Sequence, residues 1–349
     1  MDALRRNGTA ATRTRRGALV PFALLGLLLA ASIVVATGLG PVPVAPATTA
    51  RILFHHLSGA ASGAAPASAQ DAIVWLIRLP RVLLGALVGA ALAVVGVALQ
   101  AATANRLADP HLLGVSSGAT LGAVAATLWL GALLGPLTLP ALAFAGALAA
   151  MALALALSAR AGRLDSQRLL LAGVSVSFVM MALANLLLYL GDQRAASSVL
   201  FWMLGGLGLA RWGLLGAPAA FAATGMLLLV ARRRELDALM SGDVAAATLG
   251  VDVARVRREV FVVSSLVTAG MVAVSGAIGF VGLVAPHVCR RLVGAGHARL
   301  LPASALFGAV LLVWSDVAAR MLAAPDDLPI GVVTSLFGGA CLVWLIRSP

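Results

Sequence analysis

Apolar residues run in blocks of membrane length, broken by short polar stretches rich in arginine, proline and glycine. The blocks lie near residues 18–39, 82–102, 112–134, 137–158, 169–190, 212–231, 259–277, 279–293, 300–323 and 329–346. A helix needs about 20 apolar residues to cross ~30 Å of hydrocarbon, so the pattern predicts an all-α polytopic membrane protein with ten transmembrane helices. The eighth block is short, and with the seventh it reads as a broken hairpin. The first block exceeds the length of a signal-peptide core and no clear A-x-A site follows, so a retained span is expected. Residues 1–17 then form a cytoplasmic tail and residues 18–347 a single transmembrane domain.

Two polar excursions interrupt the pattern. Residues 40–77 are rich in Ala, Pro, Ser and Gly, which predicts a loosely structured outer loop. Residues 232–258 differ in kind. There Leu236, Leu239, Met240, Val244 and Ala247 recur at three- and four-residue spacing around "SGD", which predicts two short helices and a turn. Such a pair either lies on the membrane surface or docks a cytoplasmic partner.

Composition agrees with a membrane setting. Of 349 residues, 61% are hydrophobic and only 11% charged. The net charge of +12 comes entirely from arginine, because the chain has no lysine. A P-loop nucleotide site needs the lysine of G-x-x-x-x-G-K-[ST], so ATP, if used, is hydrolysed by another subunit. The arginines cluster at span ends with no aromatic-interleaved basic face, which argues against nucleic acid. With the N-terminus inside, 19 of the 25 arginines fall on the inner side, as the positive-inside rule requires, and both termini are then cytoplasmic.

Arg78, Arg81 and Arg320 run against that rule at the outer boundary. They can anchor lipid phosphates, pair with Asp326 and Asp327, or meet an acidic partner docking from outside. Asp316 and Arg320 stand four residues apart on one helix face. The other polar residues in the spans, Gln100, Ser175, Ser177, Asn185, Thr268 and Ser275, are expected to hydrogen-bond between helices. No chain of buried carboxylates suggests a proton relay. Gly85 and Gly89 in "GALVG", with Gly96, predict close helix packing. Cys289 and Cys341 suggest packing residues, adjacent His55 and His56 are a weak metal signal, and neither a metal nor a cofactor is assigned.

The blocks "RLPRVLLGALVGAALAVVGVALQ", "NRLADPHLLGVSSGATLGA", "LLLAGVSVSF", "FWMLGGLGLARW", "TLGVDVARVR", "SGAIGFVGLVAPHVCRRLVG", "LLPASALFGAVLLVWSDVAAR" and "LPIGVVTSLFGG" follow in order from about Trp75 to Ile346. Together they resemble the FecCD permeases, membrane subunits of type II ABC importers for ferric siderophores, haem and vitamin B12. The resemblance implies a homodimer in the cell inner membrane, with two cytoplasmic P-loop ATPase copies and a periplasmic or lipid-anchored binding protein. Cargo would pass by alternating access, and a ferric siderophore is the leading expectation. It further implies docking of the binding protein by Arg78, Arg81 and Arg320, and a cytoplasmic gate at Asn105 and Leu107. Arg106 stands where the family commonly has proline. Coupling to the ATPase is implied for Leu239, Gly242, Asp243, Ala246, Leu249 and Gly250. A secondary transporter driven by an ion gradient, or a docking protein without transport, are the readings from other classes.

Overall fold

The computed structural model describes residues 2–58, 68–131, 133–160, 163–164 and 166–347. The chain starts with α1 (Asp2–Gly38) and a short helix α2 (Pro46–Leu57) in the expected outer loop. Helix α3 (Ala69–Ala72) passes through a π turn (Ile73–Arg78) into α4 (Leu79–Ala102). Next come α5 (Val115–Ala125), α6 (Thr138–Ser158), α7 (Ser166–Leu190), α8 (Gln193–Met203) and α9 (Trp212–Ala231). The inner excursion holds α10 (Arg233–Leu239) and α11 (Asp243–Thr248), before α12 (Val253–Ser275), α13 (Val281–Val293), α14 (His297–Met321) and α15 (Ile330–Arg347). The only strands among the described residues are a two-residue pair, β1 (Ala159–Arg160) with β2 (Arg163–Leu164).

Among the described residues seven helices are long and apolar enough to cross a membrane; shorter apolar helices, Val115–Leu130 and Ile330–Trp344, and the thirteen-residue α13 fill the other expected blocks. The broken hairpin is real. Gly276 (φ 65°) ends α12 and Phe280 (φ 68°) precedes α13, so the chain turns through two left-handed positions.

Helix α4 is the central rod, buried along nearly its whole length. Gly89 lies against the backbone of Gly308 on α14, and Gly96 against Gly282 on α13, so a methyl group at either site would overlap a carbonyl. With lipid as apolar as leucine, such close backbone approach is what holds membrane helices together. The expected close packing is present, inside this subunit. Helices α1, α6, α7 and α9 surround the core and expose leucine and phenylalanine faces, among them Leu27, Leu157, Phe178 and Leu227.

The outer segment corrects the expectation of a loose loop. Val44, Leu53, Val74 and Leu79 form a small core under α2. His56 Nε2 lies 2.7 Å from Asp71 Oδ1, and its ring stacks on Trp75 at 4.2 Å. Trp75 in turn meets Trp212, whose indole donates to the Trp75 carbonyl at 2.8 Å. Low hydropathy concealed this order because aromatic and ionic contacts, rather than a long apolar run, hold it. Residues 59–67 lie outside the described residues.

Candidate functional site

The outer arginines are turned inward. Arg78 is 6% exposed and donates to the carbonyls of Gly38 (2.9 Å) and Val42 (2.6 Å). Arg320, 4% exposed, donates to Leu39 (2.7 Å) and Ala36 (3.2 Å). Both cations therefore donate to carbonyls at or just past the C-terminal end of α1, where the helix dipole is negative. Asp316, 1% exposed, bridges Arg81 Nε at 2.8 Å and Arg320 Nε at 2.9 Å. Arg81 also reaches Asp327 at 2.6 Å and keeps a slightly exposed side chain. So of the sequence alternatives, internal pairing is realised, through Asp316 and Asp327, and no free outward guanidinium is presented by Arg78 or Arg320. The π turn explains the burial of Arg78. It rotates the chain just before Pro80, whose missing N–H suits a widened turn.

At the other end of α4 the chain makes a tight, exposed turn. Ala104 is left-handed (φ 50°), and Asn105 N–H donates to the Gln100 carbonyl at 3.1 Å. Asn105 Oδ1 accepts from Leu107 N–H at 2.9 Å, an Asx turn that closes through residue 105 and needs no proline at 106. Asn105, Arg106 and Leu107 all face outward from the subunit. Asp109 then accepts from His111 N–H at 2.9 Å, capping the short turn Pro110–Leu113. His111 locks that turn to the broken hairpin. Its Nε2 donates to the Ile278 carbonyl at 2.7 Å, because a carbonyl only accepts, which leaves Nδ1 to accept from the Ser116 hydroxyl at 2.6 Å.

The inner excursion forms the two helices expected, joined at Gly242 (φ 96°) and ended at Gly250 (φ 81°). Its apolar stripe divides. Leu236, Leu239 and Ala246 are buried in this chain's own core, whereas Met240, Val244 (81% exposed) and Leu249 (71% exposed) project away from it. Gly242, Asp243 and Gly250 share that exposed side. Leu239 and Ala246 thus seat the segment against this chain's own core. Asp237 fixes α10 to α14 by accepting from both the backbone N–H (2.9 Å) and Nδ1 (2.6 Å) of His297.

Residues 28–348 match the model described as the FecCD transport family. The chain belongs to the FecCD family. It is 38% identical to the hemin transport system permease protein of Yersinia pestis, over 80% of this chain and 85% of that one. Against the cobalamin import system permease protein of Halobacterium salinarum the identity is 38%, covering 93% and 95%. The Fe(3+) dicitrate transport system permease protein of Escherichia coli is 36% identical over 79% and 83%. A solved metal-chelate type ABC transporter in an inward-facing conformation superimposes with a TM-score of 0.81 at 30% identity, covering 94% of this chain and 98% of that one. The permease is accordingly a multi-pass membrane subunit of an ABC importer for iron chelates, haem or vitamin B12, and not an enzyme.

Further polar groups tie the helices of the permease together. Gln100, 1% exposed, donates to the Gly282 carbonyl (3.1 Å) and accepts from Arg290 (2.6 Å), tying the root of the exposed turn to α13. That fulfils the interhelical expectation for Gln100. Ser175, Ser177, Thr268 and Ser275 instead bond carbonyls within their own helices, and Asn185 lies exposed on α7. Arg257, Asp237 and His111 gave no signal, since their partners lie 155, 60 and 167 residues away. Among the described residues no group of three or more His, Cys, Asp or Glu could hold a metal.

Proposed function

We propose that this permease pairs with a second copy in the cell inner membrane and carries an anionic iron chelate, a ferric siderophore, toward the cytoplasm. The observation that carries the choice of cargo is the charge beside the turn after α4. Exposed Arg106 lies close enough to Arg290 and His287 for both to feel its charge, and Arg291 adjoins them. A negatively charged chelate is attracted by that basic rim, whereas a neutral corrinoid gains nothing there. Haem is the second reading, supported by its carboxylates, which suit the same rim, and by the hemin-permease relative.

In this reading Asn105 and Leu107 close the cytoplasmic end of the pathway. Val244 and Leu249, flanked by Gly242, Asp243 and Gly250, present an apolar knob to each of two ATPase copies. A periplasmic or lipid-anchored binding protein docks on the outer surface over Arg81, while Arg78 and Arg320 hold that surface in shape. Both termini face the cytoplasm. The arginine distribution supports this orientation.

The test is a panel of radiolabelled ferric siderophores, haem and cobalamin, offered first to the cognate binding protein and then to the complete transporter in liposomes. ATP-dependent uptake of a ferric siderophore in preference to the others is expected. Preferred uptake of haem or cobalamin would overturn the cargo assignment while leaving the permease role standing.

A further inference from the structure

The turn after α4 and the helix α11 lie on the same side of the molecule, yet no backbone segment joins them directly. One side chain does. Arg257, in the second turn of α12 and with a side chain only 12% exposed, donates from Nε to the carbonyl of Ala102 at 2.8 Å. Its other two nitrogens fork onto Asp243, Nη2 to Oδ1 at 2.8 Å and Nη1 to Oδ2 at 3.2 Å. Ala102 is the last residue of α4, three positions before Asn105, and Asp243 is the first residue of α11.

Both grips fall on places that few other contacts hold among the described residues. The backbone N–H groups of Thr103, Ala104 and Asn105 go to Leu99, Ala101 and Gln100, so Arg257 supplies the donor for the Ala102 carbonyl at the helix end. Helix α11 hangs between the left-handed positions Gly242 and Gly250, and Ala246 is its single buried residue. Helix α10, by contrast, is pinned by Leu236, Leu239 and the Asp237 bond to α14. Any displacement imposed on the inner excursion by a docked partner is therefore taken up by α11. Asp243 passes it to Arg257.

We propose that Arg257 is a positioning residue of the transport cycle, a strut that carries motion of α11 to the root of the cytoplasmic gate through the Ala102 carbonyl. This rests on the assignment of Asn105 and Leu107 as the gate and of α11 as the ATPase contact. The planar fork is essential to the geometry. A lysine offers its three donors from one nitrogen and cannot hold both partners as a guanidinium does. Because Asp243 is more than half exposed, the pair contributes little to stability and its worth lies in its geometry.

The experiment uses the complete transporter in lipid nanodiscs, with Leu107→Cys as a spin-labelled probe of the gate in a background lacking Cys289 and Cys341. Gate response to ATP, cargo moved per ATP hydrolysed, and co-purification of the ATPase are read together. With Arg257→Ala, the ATPase stays bound, the label's response to ATP is lost, and cargo moved per ATP falls about tenfold, the scale of an ordinary coupling free energy between sites. Arg257→Lys is intermediate. Asp243→Asn, at an exposed position that does not threaten folding, weakens the response in the same direction by a smaller factor. A gate that answers ATP as in the parent, with parental cargo per ATP in Arg257→Ala and Asp243→Asn alike, would overturn the strut. A parent label that never responds to ATP would overturn the gate assignment itself, and the strut with it.

Discussion

The two ends of the permease handle charge in opposite ways. At the outer end three arginines and two aspartates are folded into one internal network, with Arg78 and Arg320 on the carbonyls of α1 and Asp316 between Arg81 and Arg320. At the inner end Arg106 is exposed, Asp243 is half-exposed, and the apolar side chains of Leu107, Val244 and Leu249 stand in solvent. Buried charge needs fixed partners, and these arginines and Asp316 find theirs within one chain. Exposed apolar groups gain from being covered, so the inner end is unfinished until something docks on it. Internally paired charge at one end and exposed turn and α11 residues at the other is the arrangement a permease needs if force enters at the exposed turn.

The contrast can be broken most severely at Asp316. Replacing it by alanine removes the carboxylate between Arg81 and Arg320, leaving Arg320 with carbonyl acceptors alone, and should cost about 3–5 kcal/mol, read as a lowered thermal transition in detergent or lost expression. A change below about 1 kcal/mol would mean that the network is dispensable. Next, Leu249→Asp should leave that transition unchanged and weaken ATPase co-purification by about 2 kcal/mol, or ~30-fold, as expected when an interface anchor is lost. Undiminished ATPase binding would remove α11 from the interface. Gln100→Ala should cost about 1 kcal/mol, since Arg290, near a helix end, can turn to water. A much larger loss would place that bond among the rigid parts of the fold. Arg106→Ala should shift stability by no more than ~0.5 kcal/mol, yet lower uptake of an anionic chelate relative to a neutral one. Equal effects on both cargoes would sever Arg106 from selectivity.

Most of the membrane architecture was legible in the sequence because apolar length and glycine spacing report directly on span and packing. All ten expected blocks are helical, and Gly89 and Gly96 sit at close backbone crossings. The glycines specify contact but not the partner, which is why their crossings with Gly308 and Gly282 inside one subunit could be mistaken for a dimer contact. The outer arginines show a different limit. Sequence position puts them at the boundary, but the direction of each guanidinium is set by the π turn before Pro80 and by carbonyls at the end of α1. The inner excursion was legible as two helices with a turn. Its division into seated Leu239 and Ala246 and exposed Leu249 depended on where α14 and α12 pack. Arg257 lay hidden for a simpler reason. An arginine one turn inside a helix looks like any other positive-inside residue until Ala102 and Asp243 are seen on either side of it.

The most direct measurement is ATP-dependent uptake of a radiolabelled ferric chelate by liposomes containing the permease, its ATPase and its binding protein, compared with liposomes lacking the ATPase and energised by an ion gradient. Accumulation only when all three proteins and ATP are present is the predicted result. Equal accumulation by the permease alone under an ion gradient would contradict it.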